Sequence, residues 1–131
     1  MRAAIAAMAA VLVLAALASC ASAPPVDLTG LTPAEVFQRA QDASDAADYS
    51  RALAWYQAYL TTYPDDPERS PWAQYEIAFL HHKMGDDAGA VKLFDELIAR
   101  YQSGGEGLPP APLVLAQKVK ALIQEQRSPV P

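Results

Sequence analysis

Few residues of this 131-residue chain have types and spacings suited to chemistry. Cys20 is the single cysteine, which excludes an intramolecular disulfide and a multi-cysteine metal site. His81 and His82 are the two histidines. Neighbours on a helix point about 100° apart, so one metal ion does not readily take both, and no HExxH pattern or carboxylate cluster stands beside them. No metal and no cofactor is therefore expected. Asp65-Asp66 and Asp86-Asp87 read as charges at helix starts and in solvated loops rather than as calcium ligands. No serine sits in a GxSxG turn or a Ser/His/Asp arrangement, and no glycine loop is built for phosphate. The pattern names no catalytic residue, and the expectation is a protein that is not an enzyme. What remains is a row of large side chains, Trp72, Tyr75, Phe79 and His82, at the spacing of one helix face.

The elements that must carry this row divide the chain unevenly. The composition is 52% hydrophobic, but residues 3–18, AAIAAMAAVLVLAALA, hold much of that in one block. Arg2 precedes the block and small residues follow it, which is the build of a secretory signal. The block is short for a membrane span, which needs about 20 residues. Without residues 1–19, 9 Lys and Arg face 15 Asp and Glu, which argues against nucleic acid as a partner. Residues 20–32 are expected to form a flexible tether, with Pro24-Pro25 favouring an extended course. Residues 127–131 are expected to be a frayed tail.

The remainder repeats with a period of 38 residues. Pro33, Pro71 and Pro109 are in step, as are Phe37, Tyr75 and Leu113, and Ala40, Ala78 and Ala116. Later in the unit, Asp48 matches Asp86, Ala52 matches Ala90, Tyr56 matches Phe94 and Tyr63 matches Tyr101. Each unit reads as two helices. Thr32-Pro33 and Ser70-Pro71 supply cap and first-turn residues for the first helix, with Ser70 expected as an N-cap. Ala52, Leu53, Tyr56, Tyr59 and Leu60 make a helical stripe in the second helix, repeated by Ala90, Val91, Phe94, Leu97 and Ile98. Pro64 ends the one, and Met84-Gly85-Asp86 turns between the helices of the second unit, with Gly85 suited to a left-handed conformation. A last amphipathic segment, 111–126, closes the stack with a polar outer face.

Two resemblances add to this reading. The residues Leu17-Ala18-Ser19-Cys20 resemble the lipobox of bacterial lipoproteins. That implies a cleaved lipoprotein signal peptide over 1–19, lipidation at Cys20 and anchoring in a membrane. Ala21, in place of an aspartate, implies the outer membrane, facing the periplasm. A plain signal peptide with a fortuitous cysteine, and an uncleaved anchor, are the alternatives. The segments Ala47–Pro64 and Gly85–Tyr101 resemble the turn and second helix of tetratricopeptide repeats (TPRs), with Ile77, Ala78 and His81 at the family's core positions in the first helix. In the first unit Arg39, Ala40 and Ala43 take those places, and tighter packing is expected of the second. The four-residue extension of the usual 34-residue unit is similar to envelope TPR proteins of the barrel-assembly and Tol–Pal-associated kind.

The resemblance implies an all-α, TPR-like helical-hairpin solenoid of about two and a half repeats, five helices over 33–126. Its repeats are 33–66 and 71–104, capped by 111–126. It also implies a concave groove, with Phe37 and Gln41 from the first unit, Trp72, Tyr75, Phe79, His82 and Lys83 from the second, and Leu113 and Gln117 from the last. The alternative is that Phe37, Tyr75 and Leu113 pack on one another between successive units, and that Trp72, at the start of its helix, is a buried staple. The expected function is a lipid-anchored adaptor of the bacterial cell envelope, binding an envelope protein or peptide in the groove. The alternative is an accessory lipoprotein that binds a small apolar ligand or docks on a transport system. Homodimerisation would lengthen a short groove.

Overall fold

The computed structural model describes residues 23–128. The expected signal peptide, Cys20 and the last three residues of the tail lie outside the described residues. Among the described residues there are five helices and no strand: α1 Pro33–Asp45, α2 Tyr49–Thr62, α3 Ser70–Lys83, α4 Asp87–Gly104 and α5 Pro110–Arg127. Each packs on the next, and α3 also touches α5.

The helix starts follow from short local patterns, with one correction. Thr32 caps α1 through a reciprocal pair: the Glu35 N–H donates to the Thr32 hydroxyl at 3.3 Å, and the Thr32 N–H donates to the Glu35 carboxylate at 2.8 Å. Pro33 takes the first turn, where its missing N–H costs nothing. Ser70 is not the N-cap of α3. Arg69 occupies that position without a side-chain cap bond, and Ser70 is the first helical residue, fully buried. Its hydroxyl donates to the Pro64 carbonyl at 3.0 Å and accepts from the Arg100 guanidinium at 2.7 Å. A charge-assisted bond outweighs a neutral cap, and the tertiary partner wins.

The two hairpin turns are the same turn 38 residues apart. Ala46, Ala47 and Asp48 donate their N–H groups to the carbonyls of Asp42, Ser44 and Ala43. Met84, Gly85 and Asp86 donate to Leu80, His82 and His81. The middle residue is left-handed in both, Gly85 at φ 86° and Ala47 at φ 58°. The Asp48 and Asp86 carboxylates then cap α2 and α4, accepting from the Arg51 N–H at 3.1 Å and the Gly89 N–H at 2.9 Å. Caps of this kind are worth about 1 kcal/mol each.

Five alanines in register, Ala40, Ala78, Ala116, Ala52 and Ala90, are completely buried and let the helices approach closely. Around them lie two cores. The first joins Val36, Trp55, Tyr56, Tyr59, Ile77 and Leu80, with Phe37 edge-on to Tyr56 and Tyr59 at ring distances of 5.3 and 5.6 Å. The second joins Tyr75, Phe94, Leu97 and Ile123. Arg39, which the resemblance placed at a core position, lays its guanidinium over the Trp55 ring at 5.7 Å, and Arg51 does the same. The apolar stem and cation–π contact supply packing where an aliphatic residue would otherwise sit.

Two further expectations are corrected. Val26, Leu28 and Leu31 are half-buried against the first core, so the stretch expected as a free tether is packed from Val26 onward. Apolar side chains two and three residues apart found a hydrophobic surface to cover, which polyproline stiffness does not oppose. His81 is not a core residue. Its Nδ1 lies 2.8 Å from the Asp86 carboxylate, which holds the ring half-buried at the core's edge.

Candidate functional site

The nine residues placed in one groove by sequence occupy five surroundings. Phe37 belongs to the first core. Leu113, half-buried, lines an open hollow of about 810 Å³ with the last residues of α4, Tyr101 to Gly104, and with Gly105 and Glu106 beyond it. Gln117 is exposed on α5. Gln41 lines a separate recess between α1, α2 and α3. Only the α3 row stays together.

That row is a ladder of aromatic contacts. The Trp72 ring meets Tyr75 edge-on at 6.0 Å, Tyr75 stacks on Phe79 at 5.9 Å with planes 10° apart, and Phe79 meets His82 at 6.3 Å. The Lys83 ammonium lies 5.7 Å over the Phe79 ring. Helical spacing aligns these side chains, and tertiary packing then divides them. Tyr75 is 7% exposed and turns into the second core against Phe94 at 5.8 Å, so it supports the row from below. Trp72 and Phe79 are packed against that core on one side and half-open on the other. His82 is held by Asp87, with Nδ1 2.6 Å from the carboxylate. The exposed edge is thus Trp72, Phe79, His82 and Lys83, an aromatic strip ending at the Lys83 ammonium. Such a strip offers large, rigid contact area at low entropic cost.

The recess beside it has opposite chemistry. It encloses about 250 Å³ and is lined by Gln38, Gln41, Ser44 and Asp45 of α1, Tyr56 of α2 and Glu76 of α3. Burial, with the Asp45 charge adding to it, pushes the Glu76 carboxyl above the ordinary carboxylate range. Burial, then Glu76 and Asp45, raise the Tyr56 hydroxyl as well. Sequence reasoning had singled out only Gln41 here. The other residues are scattered over three helices, and no spacing rule unites them.

A third feature is a crevice of about 130 Å³ bordered by Leu60, Ile77, Leu93 and Leu97 with Gln74 and Glu96. Small-molecule sites run to about 300–1,000 Å³, so it is undersized for an apolar ligand of ordinary dimensions. Among the described residues no group of three or more His, Cys, Asp or Glu is placed to hold a metal ion, and no helix is long and apolar enough to cross a membrane.

In comparisons with protein-family models, with curated proteins and with solved structures, nothing matches this chain.

Proposed function

We propose that the chain is a lipid-anchored, TPR-like interaction module of the bacterial cell envelope. It would be held by Cys20 in the outer membrane facing the periplasm, and would work by binding rather than catalysis. The observation that carries this reading is the recurrence of one helical hairpin. The two turns share three hydrogen bonds, a left-handed central residue and an aspartate cap at an offset of 38 residues. Stacked hairpins bury a continuous core along one direction and leave elongated surfaces suited to a partner polypeptide. The half-open strip of Trp72, Phe79, His82 and Lys83 is the surface we assign to that partner. For the anchor, the support is in sequence: Arg2, the apolar block 3–18 and the Leu17–Cys20 pattern. Two acyl chains anchor a protein stably where one binds only marginally. Confinement to a membrane raises effective concentration, so a short surface with weak affinity suffices.

Two measurements test the two halves separately. Cys20→Ser expressed in the native envelope should lose membrane fractionation and shift in electrophoretic mobility; a variant that stays in the membrane with unchanged mobility refutes the anchor. Phe79→Ala combined with His82→Ala should abolish crosslinking to an envelope protein that the parent chain captures, in a variant whose helical circular-dichroism spectrum and cooperative melt show that it still folds. Capture that survives this double substitution refutes the strip as the partner surface.

A further inference from the structure

The polar recess between α1, α2 and α3 is not part of the aromatic strip, and its chemistry asks for a different ligand. Tyr56 is 1% exposed, yet its hydroxyl makes no hydrogen bond among the described residues. No fully covered side-chain nitrogen or oxygen lacks a partner, so the hydroxyl reaches solvent, and it does so through the recess it lines. Glu76 and Asp45 share the same recess, and among the described residues no Lys, Arg or His lies within ion-pair distance of either. Three cations of the neighbouring helix faces are engaged elsewhere: Arg39 and Arg51 on Trp55, Lys83 on Phe79. Gln38 donates its amide to Asp42 at 2.8 Å, which leaves its carbonyl oxygen available.

The recess therefore offers acceptors: two carboxylates, the Tyr56 oxygen, the Ser44 hydroxyl and two glutamine carbonyls. Lysine and arginine heads are donors only, which complements this set. The 38-residue register sharpens the point. Tyr56 corresponds to Phe94, Gln41 to Phe79, Ser44 to His82 and Asp45 to Lys83. The same place in the next unit is aromatic and cationic, so the acidic, hydroxyl-bearing version belongs to the first unit alone.

We propose that this recess binds the cationic head of a lysine or arginine side chain presented by a partner polypeptide. About 250 Å³ holds roughly eight waters at about 30 Å³ each, room for a guanidinium or ammonium with part of its stem but small for a free organic ligand. A cation there gives Glu76 the counter-charge it lacks, and Tyr56 an acceptor's role. This inference rests on the binding-module reading only for the source of the cation; the aromatic strip and the lipid anchor can fail without it.

The test is an NMR titration of the purified full chain with the peptide acetyl-Gly-Arg-Gly-amide, and with its citrulline analogue as the uncharged control. The arginine peptide should give saturable amide shifts centred on Gln41, Asp45, Tyr56 and Glu76, and the citrulline peptide none. Glu76→Gln should weaken binding by on the order of tenfold or more, and Tyr56→Phe by about three- to tenfold. Glu76→Gln should melt no lower than the parent; if it fails to fold, Tyr56→Phe carries the test. Equal shifts with citrulline, or affinity unchanged in either folded variant, overturn the proposal. Methylguanidinium binding as tightly as the peptide overturns the polypeptide as occupant.

Discussion

The acidic recess of the first unit and the aromatic strip of the second stand at equivalent places, one period apart, yet share no chemistry. Both are built where the first helix of a unit meets its own second helix and the first helix of the next. In the first, Tyr56, Gln41 and Asp45 make a polar hollow. In the second, their counterparts Phe94, Phe79 and Lys83 make a dry contact with an aromatic rim. The helical frame depends on alanines, turns and caps that are the same in both. The positions between them differ without disturbing that frame: Tyr56 and Phe94 are both buried and close in volume, while Gln41, Asp45 and Lys83 are exposed. One frame thus carries two surfaces of opposite sign, and a partner that engages both would need a basic side chain about one unit away from an apolar or acidic one.

The sharpest way to break this comparison is to exchange its central pair. Phe94 is completely buried, so Phe94→Tyr places a hydroxyl where no recess receives it. It should cost about 1–3 kcal/mol, the penalty of an unsatisfied buried polar group. Tyr56→Phe, the mirror change, should alter stability by less than about 0.5 kcal/mol. Urea denaturation of both variants measures the difference, and equal losses would mean that the two environments are alike after all.

A second contrast concerns how each unit is entered. The first opens on the Thr32–Glu35 capping pair, the second on a linker strapped down by Asp66. The Asp66 carboxylate accepts from the N–H groups of Glu68 and Arg69 at 2.9 and 3.0 Å and from the Tyr59 hydroxyl. Burial acts to raise its pKa, but these hydrogen bonds and Arg69 prevail and hold it below the ordinary carboxylate value. The ionised form is therefore favoured by the fold, and the unfolded chain binds the proton more readily. The stabilisation is present above the unfolded pKa of about 3.9 and fades as pH falls below it. Tyr59→Phe should lower stability at pH 7 by about 1.5–3 kcal/mol and flatten the loss between about pH 4 and about pH 2 in acid-dependent thermal melts.

A modest pair of effects is expected at the turns, where the units agree most closely. Gly85→Ala imposes a left-handed alanine, and a Cβ there meets nothing within 4 Å, so only the backbone preference is at stake. The cost should be about 1 kcal/mol, and Ala47→Gly should recover a similar amount. Opposite signs in paired thermal melts would sharpen the equivalence of the two turns; the same sign would break it.

Much of the frame was legible because it is local. Thr32-Pro33, Pro64, Met84-Gly85-Asp86 and the apolar stripes each act within one or two turns of chain, and the helices begin and end within about two residues of where these signals stand. The 38-residue recurrence reappears in the hydrogen bonds of both turns. The left-handed Ala47 had no cue of its own, since alanine does not favour that conformation; the packing of α1 on α2 imposes it. Ser70 was misassigned because its strongest partner, Arg100, is 30 residues away. The core expectation for His81 fails because repeat register says where the Cα sits, while Asp86 decides where the ring goes.

The sequence by itself determined the helices, their order, the period, and the row of aromatic residues on α3, because each rests on spacing along one chain segment. Which of those aromatics turn inward, where the chain before α1 comes to rest, and that Gln38, Gln41, Ser44, Asp45, Tyr56 and Glu76 share one hollow were decided only by the tertiary structure. The physical reason is that burial and charge proximity are properties of helices brought together, and side chains from three helices acquire a common environment only when their backbones have packed.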